Sequence, residues 1–196
     1  ITTMAQTSTT LISQKTHKAD ITVEGGATFT AIGGENKIST VETSLSNLAQ
    51  FDLITISGTT DNNKTFTVKS VATDGLSIVV EELVTAETRD ASTDTTIDHV
   101  GFVSDKQKGD GYFSQPDGVH TVAYKVDTTL TGSIKMQGSL ATTPTEDDFF
   151  DISGTTFTTD QSTTISSANF TGNFVWVRAK ATGITAGSIT NIQLNN

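Results

Sequence analysis

Hydrophobic and polar residues alternate along this chain in short runs, which is the pattern of β-strands with one buried face. In the first half, three such runs follow one another, and the Asp74-Gly75 pair between the second and third is a strong hairpin signal. These runs predict an antiparallel meander over residues 51–57, 65–71 and 76–83. In the second half, the same alternation predicts about six strands, and the clearest of them cover residues 119–126, 132–140, 173–182 and 188–194.

Turn-forming residues and shifts in composition divide this pattern into two domains. Residues 1–19 are rich in Thr and Ser and predict an extended N-terminal arm, which is either a frayed terminus or a segment lying across a neighbouring subunit. Residues 20–100 predict an N-terminal β-domain, and residues 119–196 predict a C-terminal β-sandwich domain. Between them, residues 101–118 contain four Gly, one Pro and mixed charge, which indicates a linker. The predicted fold class is all-β, with two small antiparallel β-domains: a β-barrel or sandwich module, followed by a jelly-roll-like β-sandwich.

Thr is the commonest residue, with 39 of the 196 positions. Its β-branched side chain is stiff at χ1 and suits a pleated, half-exposed surface, so the excess supports the all-β prediction. Hydrophobic residues make up only 34% of the chain, and ten Phe residues are expected to fill much of a thin core. The Thr-rich strand faces are therefore expected to be covered by neighbouring subunits or to face water.

The chain is acidic, with a net charge of −10, and its 12 basic residues are scattered singly or in close pairs. Such a chain repels nucleic acid, because phosphate binding needs clustered Lys and Arg. No run approaches the length of an apolar membrane span, and residues 1–14 lack the basic-then-apolar order of a signal peptide. The absence of Cys excludes disulfides and thiol catalysis. Nucleic acid and membrane are therefore not among the predicted partners.

The sequence contains no recognisable catalytic arrangement. The three His residues lie in separate segments without metal-binding spacing, and they are predicted to be exposed or interfacial. They are His17, His99 and His120. The densest carboxylate cluster, within residues 146–151, lacks the Gly-bearing alternation of an EF-hand loop, so solvated loop acids are favoured over calcium ligands. Paired glycosidase carboxylates from separate strands are a minor alternative. We therefore expect a protein that is not an enzyme and that holds no cofactor or metal.

Candidate ligand or interface residues cluster around the only Trp of the chain. Trp176 lies in the run at residues 173–182, and alternation places Phe174 and Arg178 on the same strand face. Two interpretations stay open: a platform on which a sugar ring stacks, or an aromatic that covers a sheet face or contacts another subunit, which is favoured. Tyr112 is a further aromatic candidate.

Two segments resemble small β-modules of tailed-bacteriophage virion proteins. The first is FDLITISGTTDNNKTFTVKSVATDGLSIVVEE, where an apolar strand ends in I-S-G and T-F-T-V-K-S-V follows a polar turn. The second combines GSIKMQGSL, FFDI and NFVWVRAKATG and resembles the sandwich domains of phage accessory proteins, although Phe149 and Phe150 stand where a Trp is expected. The two segments cover a little over half of the chain, and such motifs are shared by head, neck, tail and fibre proteins.

The resemblance implies a non-enzymatic structural protein of a virion that is assembled in the host bacterial cytoplasm. The favoured expectation is a capsid decoration or accessory protein that binds the major capsid protein or other virion proteins and its own copies, with a trimer as one arrangement. Edge strands such as residues 188–194 are expected to pair across subunits. The alternatives are a tail, neck or fibre component with a host-glycan-binding face, and a subunit of a bacterial surface filament.

Overall fold

The computed structural model describes residues 8–114 and 118–195, and these residues confirm the all-β fold. The strand pairings are antiparallel, and helical structure in the described residues is confined to two short 3-10 helices, Asp110–Phe113 and Glu146–Asp148. The strands are β1 (Ser8–Ile12), β2 (Lys15–Thr16), β3 (Ile21–Val23), β4 (Thr28–Ile32), β5 (Glu35–Ser39), β6 (Asp52–Ser57), β7 (Thr65–Val71), β8 (Ser77–Val80), β9 (Thr95–Val103), β10 (Gln107–Lys108), β11 (Val119–Val126), β12 (Ser133–Ser139), β13 (Phe150–Asp151), β14 (Phe157–Thr158), β15 (Ile165–Thr171), β16 (Trp176–Thr182) and β17 (Ser188–Asn195).

The chain forms two compact units whose boundaries differ from the predicted domains. Of the described residues, unit 1 contains 8–16 and 103–195, and unit 2 contains 17–102. Unit 2 is therefore inserted between the first two strands of unit 1 and the rest of that unit. The predicted linker at residues 101–118 is partly regular structure, because it contains the end of β9, all of β10 and a 3-10 helix.

The predicted N-terminal arm is mostly strand where the structure describes it, and residues 1–7 lie outside the described part. β1 pairs with β17, with Thr9 opposite Leu194, and β2 pairs with the beginning of β17. Leu11 and Ile12 are buried in unit 1. The apolar pattern of the arm is too short to reveal this, because the partner strand lies at the other end of the chain.

Unit 1 is sandwich-like, with two antiparallel sheets. The first has the strand order β1-β17-β11-β15, with β2 beside β17. The second contains β13-β12-β16, with β14 beside β12 and β10 beside β16. Tyr124 of the first sheet stacks on Phe157 of the second at 6.0 Å between ring centroids, and its hydroxyl donates to Thr155 O at 2.6 Å. Burial raises the pKa of this hydroxyl well above its usual value, so Tyr124 stays neutral in the core.

Unit 2 has the strand order β9-β6-β7-β8-β5-β4, with β3 also paired to β9. The predicted meander is confirmed as β6, β7 and β8, although β8 ends three residues before the predicted limit. The core is formed by buried aliphatic and aromatic side chains from these strands, among them Phe29, Ile38, Ile54, Phe66 and Ile78.

The strand predicted at residues 188–194 to pair across subunits is not an edge strand. β17 has β11 on one side and β1 with β2 on the other. The main-chain N–H and C=O groups of β17 are therefore paired within the chain on both sides, because β1 and β2 cover the side that was predicted to be an edge. One edge of this sheet is instead β15.

Candidate interaction surface

The strongest candidate site in unit 1 is built around the start of β16. Trp176 lies opposite Ser139 of β12 on one side and Lys108 of β10 on the other, so paired strands hold its main chain on both sides. Its indole Nε1 donates to Thr142 O at 3.1 Å. This bond fixes the ring against the loop that follows β12.

Two glycines allow the 3-10 helix Asp110–Phe113 to approach β16 closely. A Cβ at Gly109 would lie 2.5 Å from Phe174 O, and one at Gly111 would lie 2.7 Å from Asn173 O. Gly111 N–H instead donates to Phe174 O at 2.8 Å. Glycine is therefore required at both positions, because any side chain would force the helix and its two aromatic residues away from Trp176.

The helix brings Tyr112 to Trp176 and places Phe113 beside Tyr112. The Tyr112 ring makes edge-to-face contacts with the rings of Trp176 and Phe113, at 5.2 and 5.3 Å between ring centroids. Lys108 Nζ lies 4.1 Å from the Tyr112 ring centroid, and Lys106 Nζ lies 5.4 Å from that of Trp176. We call these five residues the aromatic–lysine surface. Edge-to-face and cation–π contacts hold its rings in fixed positions, while Tyr112 and Phe113 stay exposed to solvent.

Arg178, one of the predicted surface residues, is buried. Its guanidinium donates to both carboxylate oxygens of Glu146, at 2.6 and 2.8 Å, and its Nε donates to Gln137 Oε1 at 3.0 Å. The guanidinium carbon lies 3.7 Å from the Phe149 ring centroid. Arg178 therefore holds the loop beside the aromatic–lysine surface from the inside, since a bidentate pair fixes both position and orientation.

Phe174 is half-buried and lies to one side of the aromatic–lysine surface. Its ring rests on Gly138 and Gly172, and a Cβ at Gly138 would lie 2.6 Å from the ring. It contacts Phe150 and Phe170, with centroids 6.0 and 6.2 Å apart. Phe174 therefore packs against the sheet and does not join the exposed rings.

Of the four residues predicted from the sequence, the structure brings together Tyr112 and Trp176. Sequence reasoning missed Lys106, Lys108 and Phe113, which complete the surface. The signal was present as the Lys-Gln-Lys run directly before Gly-Asp-Gly-Tyr-Phe, because a two-residue spacing places both lysines on one face of an extended segment.

The carboxylates within residues 146–151 do not converge on a common point. Glu146 pairs with Arg178, and Asp148 accepts from Thr145 N–H at 2.7 Å, which lowers the pKa of Asp148. Asp151 lies 2.5 Å from Lys135 Nζ. Burial alone would raise the pKa of Asp151, but the bonds from Lys135 and Gln137 lower it. Among the described residues, no group of three or more His, Asp or Glu side chains is arranged to hold a metal ion.

The His residues differ from the prediction that all three are exposed or interfacial. His99 is buried in unit 2, where its Nδ1 lies 3.2 Å from His17 Nδ1 and its Nε2 lies 3.9 Å from Asp52 Oδ1. Lys18 Nζ contacts the other oxygen of Asp52 at 2.5 Å. His120 is buried in unit 1, with Nε2 3.6 Å from Asp110 Oδ2. The Asp52 group and the His120–Asp110 pair therefore act as internal polar contacts of their units.

Comparison with known proteins gave no match among family models, curated proteins or solved structures. Across the described ranges, no helix has the length and apolar character needed to cross a membrane.

Proposed function

We propose that this chain is a non-enzymatic structural protein of a tailed-bacteriophage virion, and that it decorates the outer surface of the capsid. The aromatic–lysine surface carries the proposal. Tyr, Trp and Phe side chains are enriched at protein interfaces, where they supply large contact areas at a small loss of side-chain entropy. Here Trp176 lies on a paired strand with its indole bonded to Thr142 O, and Tyr112 and Phe113 lie on a 3-10 helix that is hydrogen-bonded to Phe174 O, so little ordering is needed when a partner binds.

The position of the phage-like segments supports the same proposal. The first segment supplies β6, β7 and β8 of unit 2, and the second supplies β12, β13 and β16 of unit 1. The aromatic–lysine surface lies on the second segment and on residues 106–113, which pack against it. We infer that unit 1 anchors the protein to the shell.

A specific observation favours one alternative, a tail, neck or fibre component that binds host glycans. Tyr112 is exposed and Trp176 is partly exposed, and rings of these types stack on the apolar faces of sugars. The two functions differ in the ligand that the same rings contact, so one set of variants separates them.

The test is co-sedimentation of the purified chain with empty capsid shells of the phage that encodes it, and separately with polysaccharide from its host. We expect Trp176→Ala to weaken shell binding by about 30-fold, which is the effect of removing a hot-spot side chain worth about 2 kcal/mol. Tyr112→Ala should act in the same direction. Leu83→Ala is the matched control, because Leu83 is a large exposed apolar residue of unit 2.

Shell binding that is unchanged by Trp176→Ala and Tyr112→Ala would show that this surface is not the anchor. Failure of the unaltered chain to bind shells, together with polysaccharide binding that Trp176→Ala abolishes, would replace the capsid proposal with the glycan-binding one.

A further inference from the structure

The outer side of β15 offers a row of main-chain hydrogen-bonding groups. Val126 N–H donates to Thr164 O at 2.9 Å, so Thr164 and every second residue after it direct their main-chain groups toward β11. The remaining residues of β15 direct their N–H and C=O groups away from β11. They are Ile165, Ser167, Asn169 and Thr171. Among the described residues, no strand pairs with this side of β15.

This edge lacks the features that usually protect an edge strand. β15 has no charged residue and no Pro, and its register with β11 is continuous, without a bulge. The opposite edge of the same sheet differs, because the β1–β17 pairing has an irregularity between Thr10 and Ile12 and β2 is only two residues long. Of the two described edges of this sheet, the β15 edge is therefore the one that is regular, long and neutral.

We propose that β15 pairs antiparallel with β15 of a second copy of this chain, around a two-fold axis that passes beside Ala168. This register places Ser167 opposite Asn169 of the second copy and Ile165 opposite its Thr171. All four outward-directed residues of each strand then form hydrogen-bonded pairs, and the two Ala168 residues form the close, non-hydrogen-bonded pair on the axis. Shifting the register by two residues leaves some of these groups unpaired.

The exposed apolar side chains agree with this register. Ile165 and Val119 are 63% and 61% exposed, and both lie on the outer face of the sheet. Val119 is opposite Thr171 within the chain, so pairing brings Ile165 of the second copy next to the Thr171 methyl group and forms one cross-strand row with Val119. Two side chains that are isolated in a single chain thereby gain apolar neighbours.

Charge also favours a second copy as the occupant. The chain carries a net charge of −10, so copies repel one another over most of their surface. The outward side chains of β15 are Ile165, Ser167, Asn169 and Thr171, none of which is charged. A two-fold pairing requires the same strand on both partners, and this neutral strand meets that requirement.

This inference deepens the proposed self-association and rests on it, but it does not depend on the place of the protein in the virion. It predicts a two-fold dimer through β15, whereas the sequence indicates self-association with a trimer as one arrangement.

Disulfide trapping tests the register directly, because the chain has no Cys. Ala168→Cys places two thiols in a close cross-strand pair, and we expect a disulfide-linked dimer to form about tenfold faster than for a control thiol, because pairing raises the effective thiol concentration. The control is Gln193→Cys, an exposed position of β17, which has strands on both sides. Equal rates for the two variants would overturn the proposed register.

Sedimentation of the unaltered chain and of two edge variants tests the pairing itself. Ser167→Pro removes an N–H that points away from β11, and Ser167→Lys adds a charge near the axis, so both should convert the dimer to monomer. Gln193→Lys adds the same charge away from the edge and should stay dimeric. An unaltered chain that sediments as a monomer or a trimer, or dimers that survive both Ser167 variants, would overturn the pairing.

The same variants separate this inference from the capsid proposal. Shell binding by a chain that fails to cross-link through Ala168→Cys would overturn the pairing and leave the capsid proposal intact. Cross-linking by a chain that does not bind shells would support the pairing and overturn the capsid proposal.

Discussion

Among the described residues, unit 1 and unit 2 each bury one Asp, Glu, Lys or Arg side chain, and the partners of that side chain differ. In unit 1, Arg178 is fixed by Glu146, Gln137 and the Phe149 ring. In unit 2, the Asp52 side chain is 0% exposed and contacts Lys18, whose side chain is 17% exposed, with His99 nearby. Ala49 N–H also donates to Asp52 Oδ2 at 2.8 Å.

The difference lies in how each cluster responds to pH and in what each one holds together. Arg stays charged at every pH at which proteins fold, and no His belongs to the unit 1 cluster, so its support for the loop beside the aromatic–lysine surface does not depend on His protonation. The unit 2 cluster includes His17, whose pKa is lowered by burial and by the neighbouring His99. It also joins the first residues of unit 2 to β9 near its end, so it fastens the two ends of the inserted unit together.

Asp52→Ala should have the largest effect. Removing one partner of a buried pair leaves Lys18 without its counter-charge and Ala49 N–H without its acceptor, which we expect to lower the free energy of unfolding of unit 2 by about 3 to 5 kcal/mol. Hydrogen exchange measured by mass spectrometry should show the loss in peptides from residues 17–102. Asp52→Asn, which keeps the shape and one acceptor, should cost less. An equal rise in exchange throughout unit 1 would contradict a role confined to unit 2.

Arg178→Ala should destabilise unit 1 by about 2 to 3 kcal/mol, because packing and a bidentate pair are lost together. The effect is smaller than for Asp52→Ala because Asp52→Ala also removes the acceptor of the Ala49 main-chain N–H, whereas Arg178→Ala leaves side-chain groups that can turn toward water. Fluorescence of Trp176, the only Trp, reports the unfolding of unit 1 in urea. Arg178→Lys is the matched variant, and it should recover the charge without the fork geometry. Full recovery by Lys would contradict the importance of the bidentate contact.

Unit 2 should lose stability as the pH falls from about 7 to 5, the range around the ordinary His pKa. Burial and the neighbouring His99 lower the pKa of His17, while Asp20 opposes them. The unfolded chain therefore binds a proton more readily than the folded chain, so acid favours unfolding. His17→Gln should flatten this dependence in urea titrations followed by hydrogen exchange, and an unchanged slope would remove His17 as its source.

Asp52 adds a second acid-sensitive step at lower pH. Burial alone would raise the pKa of Asp52, but the nearby His99 and hydrogen bonds from Lys18 and Ala49 N–H outweigh it and lower the pKa below the usual Asp value. Its contribution is complete above the unfolded Asp pKa, about 4, and is lost as the pH falls through the lower folded value. The His17 and Asp52 steps should therefore separate along the pH axis.

Of these variants, Lys69→Ala should change the free energy of unfolding least. Lys69 and Glu81 form an exposed pair with 3.7 Å between charged atoms. Such pairs contribute about 0 to 0.5 kcal/mol and weaken with salt. If Lys69→Ala lowered the free energy of unfolding of unit 2 as much as Asp52→Ala does, burial would not decide the strength of these pairs.

The alternation of polar and apolar residues predicted the strands well, because this pattern depends only on residues two positions apart. The run at residues 119–126 coincides with β11, and residues 65–71 coincide with β7. The run at residues 173–182 begins three residues before β16, because Asn173 to Val175 pack against the 3-10 helix. Two of the four candidate site residues, Tyr112 and Trp176, lie together on the surface. The burial of Arg178 was not predictable, since it depends on Glu146, which is 32 residues away.

The sequence by itself determined that this chain is all-β, because alternation of polar and apolar residues and an excess of Thr act on each strand locally. Only the tertiary structure decided which strands are neighbours. It placed β1 beside β17, inserted unit 2 into unit 1, joined His17 to His99 and left β15 at the edge of its sheet. Each of these outcomes is a pairing between distant parts of the chain, and such pairings are chosen by the burial and hydrogen bonding of the whole unit.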